Sequence, residues 1–153
     1  MIEARLKELG IELPLPPAPA ANYAPFVKIG TLVYISGQLP LWKGEVKYVG
    51  KVGPEFTIEE GQEAARVCAY NILALLKVAC EGDLNRIQRC IRLGGFVNCL
   101  DGFKDQPKVV NGASDLMVNL FGERGRHARA AVGVNSLPLG SAVEIEALFE
   151  VQE

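Results

Sequence analysis

Between Thr57 and Gly82 the chain carries the pattern that most restricts its fold. Thr57 and Glu60 form a T-x-x-E capping box, in which a hydroxyl and a carboxylate satisfy orphan amides of a first helical turn. Ile58, Ala65, Cys68, Ile72, Leu75, Leu76 and Ala79 then recur at spacings of three, four and seven. That spacing predicts one long amphipathic helix, stopped by Gly82, whose apolar stripe needs a surface to cover. The surrounding segments supply the surface. "TLVYIS", Thr31 to Ser36, is rich in β-branched and aromatic residues and reads as a strand. "GEVKYVG" reads as a second, joined to the first by "GQLPLWKG". "IQRCIRLGGFVN", Ile87 to Asn98, is a third, and its Gly94-Gly95 pair predicts a bulge or a close backbone approach. The last two strands are Arg129 to Val134 and Ala142 to Val151, joined by "NSLPLGS".

A second helix is expected from about Pro107 to Phe121, with Val110, Ala113, Met117 and Leu120 facing inward. The order is ββαβαββ, which predicts an α+β fold: a mixed sheet with two helices on one face. The other face then lacks cover, and a small sheet in that position commonly finds it in another copy of itself. "IEARLKEL" predicts a short surface helix, and "PLPPAPA", Pro14 to Ala20, a stiff connector. The chain thus divides into an N-terminal extension, 1–21, and one domain, 22–153.

Composition narrows the function classes. A length of 153 residues, 49% hydrophobic and 22% charged, suits a single core. Net charge is -2, which gives no general attraction to nucleic acid or anionic membrane. No apolar run reaches the roughly 18 residues of a membrane span. The charged start "MIEARLKELG" lacks the apolar core of a secretion signal, so a cytoplasmic location is expected. Cys68, Cys80, Cys90 and Cys99 make no C-x-x-C pair and, with one histidine, no zinc pattern; buried free thiols are expected. GxxxxGK[ST], GxGxxG, GxSxG and HExxH are all missing, which argues against nucleotide-dependent enzymes, classical serine hydrolases and metalloproteases.

Few residues remain to carry chemistry. Arg129 opens a strand among the small side chains Ala128, Ala130 and Ala131. It is either a solvated or salt-bridged arginine or a clamp whose planar fork matches a carboxylate. Arg124, Arg126 and His127 add positive charge upstream. In "AVEIEALF" alternation puts Val143, Ile145 and Ala147 on one face and Glu144 and Glu146 on the other. That second face is either water-facing or carries a carboxylate that activates water. Whether Arg129 and Glu144 share a face depends on the register of the hairpin expected between their strands, which the connecting loop is too long to fix. Ser36 and the Gly37 amide end the first strand in "SGQLP", an ordinary turn or a pair of ligand donors. Asn111 sits in the second helix, where asparagine is usually surface filler.

Taken together, "APFVKIGTLVYISGQLP", the helix after it, "VVN" and "ARAAVGVNSLPLGSAVEIEA" resemble the Rid (YjgF) family of reactive-intermediate deaminases over roughly residues 22 to 151. The resemblance implies a chorismate-mutase-like fold, a homotrimer with sites in the clefts between subunits, and hydrolysis of 2-imino acids, formed from 2-enamino acids, to 2-keto acids and ammonia without metal or organic cofactor. It implies Arg129 as the substrate-carboxylate arginine and Glu144 as the water-orienting glutamate. Ser36 and Gly37 would line the cleft, with Asn111 near it. Two positions depart from the family pattern: Phe26 stands where tyrosine is usual, and Ala131 where cysteine is usual. The connection from Leu41 to Thr57 and the N-terminal extension are also long for the family.

Three functions follow. The first is an imine or enamine hydrolase that removes reactive metabolites. The second is a non-catalytic trimer that binds small carboxylates such as 2-keto acids, towards which Phe26 and Ala131 lean. The third is an endoribonuclease or translation inhibitor, ranked last on net charge and the lack of a basic-aromatic pattern.

Overall fold

In a computed structural model, which describes residues 1–16 and 21–153, the long helix α2 spans Ile58–Ala79. Both limbs of its capping box are made: Glu60 N donates to Thr57 Oγ1 at 3.1 Å and Thr57 N to Glu60 Oε1 at 3.0 Å. It ends where Glu81 and Gly82 turn left-handed and Gly82 N donates to Lys77 O at 2.7 Å. The second long helix, α3, spans Gln106–Phe121, and its predicted inner residues are all buried. The helices press together at Gly112, where the Gln62 carbonyl occupies the space a Cβ would need.

Both lie on one face of a five-stranded mixed sheet. Its strands are β1 (Phe26–Ile29), β2 (Leu32–Gln38), β5 (Ile87–Asn98), β6 (Ala128–Val134) and β7 (Val143–Val151), in the order β1-β2-β7-β5-β6. Only β5 and β6 are parallel; every other neighbouring pair is antiparallel. Val33, Ile35, Leu93, Val97, Val143, Ile145, Phe149 and Val151 point at the helices and are buried. The alternate residues face away, and Val27, Tyr34 and Val132 are exposed there.

The first β-hairpin differs from expectation. "FVKI" is a strand, turned back onto β2 by Gly30 at φ +59°. "GEVKYVG" does not join the sheet. Only Glu45–Val46 (β4) is extended, and it pairs with Leu41–Trp42 (β3) in a separate ribbon. Left-handed backbone at Lys43, Gly44 and Tyr48 bends the chain out of any longer strand. The connection as far as Thr57 then runs along the strand ends: Val52 is buried against Cys99, Val49 bridges to Ser141, and Lys51 Nζ donates to Asn98 Oδ1 at 2.7 Å.

The structure sharpens or corrects the sequence reading in three further places. β6 and β7 are not a hairpin, because β5 lies between them. The Gly94-Gly95 pair is a close approach rather than a bulge: a Cβ at Gly95 would meet Val110 Cγ2 at 2.5 Å, and one at Gly94 would meet Glu146 Cγ at 2.8 Å. The register slips of β5 fall earlier, between Ile87 and Arg92. The short helix α1 (Ile2–Glu8) is no free surface element, since Ile2 and Leu6 are buried in the common core. Of the predicted Pro14–Ala20 connector, residues 17–20 lie outside the described residues, and residues 14–16 have no regular structure.

Candidate functional site

Arg129 stands on the edge strand β6 in register with Leu93, whose side chain is buried under the helices. Its guanidinium therefore points to the helix side and reaches α3. Nη1 donates to Asn111 Oδ1 at 2.9 Å and to Ser114 Oγ at 3.1 Å, and Nη2 donates to the Pro107 carbonyl at 3.0 Å. Pro107, Asn111 and Ser114 fall at i, i+4 and i+7, so one stripe of α3 presents all three acceptors. Arginine has five N–H donors in a fixed plane. Three are used, and the Nε hydrogen and one Nη2 hydrogen have no partner among the described residues. The half-buried guanidinium is held in place with donors to spare, as an anchor for an incoming anion must be.

Ser114 links this group to His127. Its Oγ lies 2.7 Å from His127 Nε2, and His127 Nδ1 lies 2.6 Å from the Gly125 carbonyl. Burial lowers the histidine pKa from its ordinary value, and the nearby Arg129 charge adds to that against the opposing pull of the Gly125 carbonyl. The lowered pKa favours the neutral ring over the added positive charge that its place in the sequence suggests.

Glu144 is elsewhere. It pairs with Phe96 on the face turned away from the helices, opposite in sense to Arg129. Its carboxylate lies over Gly37, in the space a side chain would fill. β2 loses register between Ile35 and Gln38, so Ser36 and Gly37 form an irregular step beside it. Ser36 Oγ donates to the Ala24 carbonyl at 2.7 Å, which ties this step to the chain entering β1. Burial raises the Glu144 pKa, and the charge of Glu146 two residues along the same face raises it further. Glu146 itself pairs with Arg92 at 3.0 Å.

The predicted residues therefore fall into two groups within one chain. Arg129, Asn111 and Ala131 share the β6–α3 edge, Ala131 opposite Gly95 and packed on the core. Glu144, Ser36 and Gly37 share the other face at the end of β2. Phe26 pairs with Ile35 and packs against the core, so it faces the helix side rather than Glu144. Sequence reasoning misses Ser114 and His127 as members of the arginine cluster. The helical stripe shared with Asn111 is a signal for Ser114, whereas nothing local marks the Ser114–His127 contact. The four cysteines are free and buried, as expected. Burial pushes the Cys90 thiol up to about 12 and raises Cys68 and Cys80 as well, so none of these three is poised as a nucleophile. Among the described residues no group of three or more His, Cys, Asp or Glu could hold a metal ion, and no helix is long and apolar enough to cross a membrane.

Residues 3–151 match the family described as "YjgF/chorismate mutase-like, putative endoribonuclease". Protein TCP17 of Trypanosoma cruzi is 47% identical, over 98% of this chain and 94% of its own. The crystal structure of Atu1372 from Agrobacterium tumefaciens, a protein of unknown function, superposes with a TM-score of 0.91 at 50% identity, covering 99% of this chain and 94% of its own. A 2-iminobutanoate/2-iminopropanoate deaminase of Dermatophagoides farinae is 28% identical, over 93% of this chain and 95% of its own.

Proposed function

The chain belongs to the YjgF (Rid) family, and from that premise we propose that it hydrolyses 2-imino acids to 2-keto acids and ammonia, at sites completed between copies of itself. The observation that carries the reading is Arg129, fixed by three acceptors on α3 with two donors unspent among the described residues. A 2-imino acid offers those donors its carboxylate, next to a carbon that is already electrophilic. Little more is needed than a held water and a base. Glu144 fits that task, because its raised pKa makes it a stronger base than an ordinary carboxylate. Water oxygen bonds to C2 as Glu144 takes one of its protons. The C=N electron pair moves to nitrogen, which gives a neutral carbinolamine from the protonated imine. Glu144 returns its proton to that nitrogen, the C2–N bond breaks and ammonia leaves, and the hydroxyl proton passes to Glu144 as the C2=O bond of the keto acid forms.

Arg129 and Glu144 occupy opposite sheet faces, so the reading requires that one copy's arginine edge meet another copy's glutamate face. A homotrimer, as the family resemblance implies, meets that demand. The named activity of the mite relative supports the substrate class.

The test couples an amino-acid oxidase, which makes 2-imino acids in situ, to semicarbazide trapping. Wild-type protein is expected to suppress semicarbazone formation. Arg129→Ala should abolish suppression and weaken 2-keto-acid binding about a hundredfold. Glu144→Gln should lower kcat by about 10²–10⁴ while leaving that binding within about threefold. Normal trapping in the presence of wild-type protein, across small, branched and aromatic imino acids, would sink the hydrolase. If 2-keto acids still bound, the protein would be a carboxylate-binding assembly, the reading that Phe26, without a hydroxyl and packed on the core, favours.

A further inference from the structure

We propose that His127 is a positioning residue, which fixes the orientation of Arg129 through Ser114; this rests on reading Arg129 as the carboxylate anchor. The hydrogen directions are determined by chemistry. A carbonyl only accepts, so the 2.6 Å contact to Gly125 O places the proton on His127 Nδ1. In a neutral ring Nε2 then has only a lone pair, and at 2.7 Å it takes the single hydroxyl proton of Ser114. Ser114 Oγ is left with lone pairs alone for Arg129 Nη1, 3.1 Å away. Each link has one direction: guanidinium to hydroxyl, hydroxyl to imidazole, imidazole to carbonyl.

The chain of bonds is not a nucleophilic dyad. The guanidinium N–H that the serine oxygen accepts draws on its electron density and makes it a weaker nucleophile. Its effect is mechanical. Without the imidazole, the Ser114 proton can turn towards Arg129, and a donor would face a donor. The charged groups around the ring agree with a neutral histidine. Arg129 on β6 acts on it directly. Arg124 is engaged with the Ile87 carbonyl and Arg126 with Glu123. Arg89 of β5 donates to the Arg126 carbonyl, and Asp115 of α3, beside Ser114, is exposed.

His127 is the chain's one histidine, so its ring nitrogens can be followed by NMR without assignment. The expected spectrum is the Nδ1–H tautomer, titrating below the ordinary histidine value, with the midpoint moved up in Arg129→Gln. In kinetics, His127→Leu is expected to raise KM about tenfold with kcat within about twofold, because a carboxylate anchor binds ground state and transition state alike. His127→Gln, which can present an acceptor to Ser114 and a donor to Gly125, should restore KM. Ser114→Ala should match His127→Leu, and the double variant should be no worse than either, as a single path demands. An Nε2–H tautomer, a midpoint indifferent to Arg129→Gln, or an unchanged KM in His127→Leu would overturn the proposal. If the wild type neither turns over imino acids nor binds pyruvate, the hydrolase reading falls, and the tautomer and the Arg129-dependent midpoint decide the positioning alone.

Discussion

Glu144 shows how a site residue and a stable fold pull apart. Its folded pKa is raised, so the folded chain binds its proton more tightly than the unfolded chain does. Stability is fullest below the ordinary carboxylate pKa and is lost as pH rises through the raised value. Once ionised, the group works against folding. Glu144→Gln is therefore expected to melt at or above the wild-type temperature at pH 7 while losing turnover, and a lower Tm would contradict a net cost of burying this charge. The proposed hydrolysis needs the ionised form, so the acid limb of its kcat profile should lie above the ordinary carboxylate value. Glu146→Gln removes the second cause of the shift and should move that limb to lower pH. The glutamate face is legible in the sequence because alternation in a strand is strict. The acceptors of Arg129 are legible only in part: Asn111 stands out, but Ser114 lies one turn further along and the Pro107 carbonyl leaves no trace in side-chain pattern. The charge of His127 is not legible at all, since its burial is a tertiary fact.

Helices are the most readable elements, because each announces itself within a few residues. Thr57→Ala should cost about 1 kcal/mol, the usual worth of a helix cap, and urea denaturation measures it. Gly112→Ala tests the helix contact. A methyl group there would press on the Gln62 carbonyl, so a loss of about 1–3 kcal/mol is expected, against the slight gain alanine brings to an open helix position. The strands are harder to read where geometry depends on partners. "FVKI" has a good strand composition but three exposed residues, so its burial pattern carries no alternation. "GEVKYVG" does alternate, yet the left-handed residues on either side of β4 leave it two residues long.

The whole molecule is legible as a layer of helices on a mixed sheet with an open face. Strand order is not, because adjacency in sequence suggests that β6 and β7 pair, while β5 intervenes. That order sets Arg129 and Glu144 back to back, and it makes a mixing experiment decisive for the proposed shared sites. Arg129→Ala and Glu144→Gln chains, each inactive, should regain about a quarter of wild-type activity when unfolded together and refolded as a 1:1 mixture, since random assembly pairs an intact arginine edge with an intact glutamate face that often. No recovery, with mixed assemblies shown to form, would confine the site to one chain. The same strand order bears on synthesis. β7 joins β2 to β5 and is the last strand of the domain to leave the ribosome. Until it does, β1-β2 and β5-β6 are separate ribbons with open edges, and a nascent chain stalled before Val143 carries two unjoined halves whose edges are open to pairing with another chain.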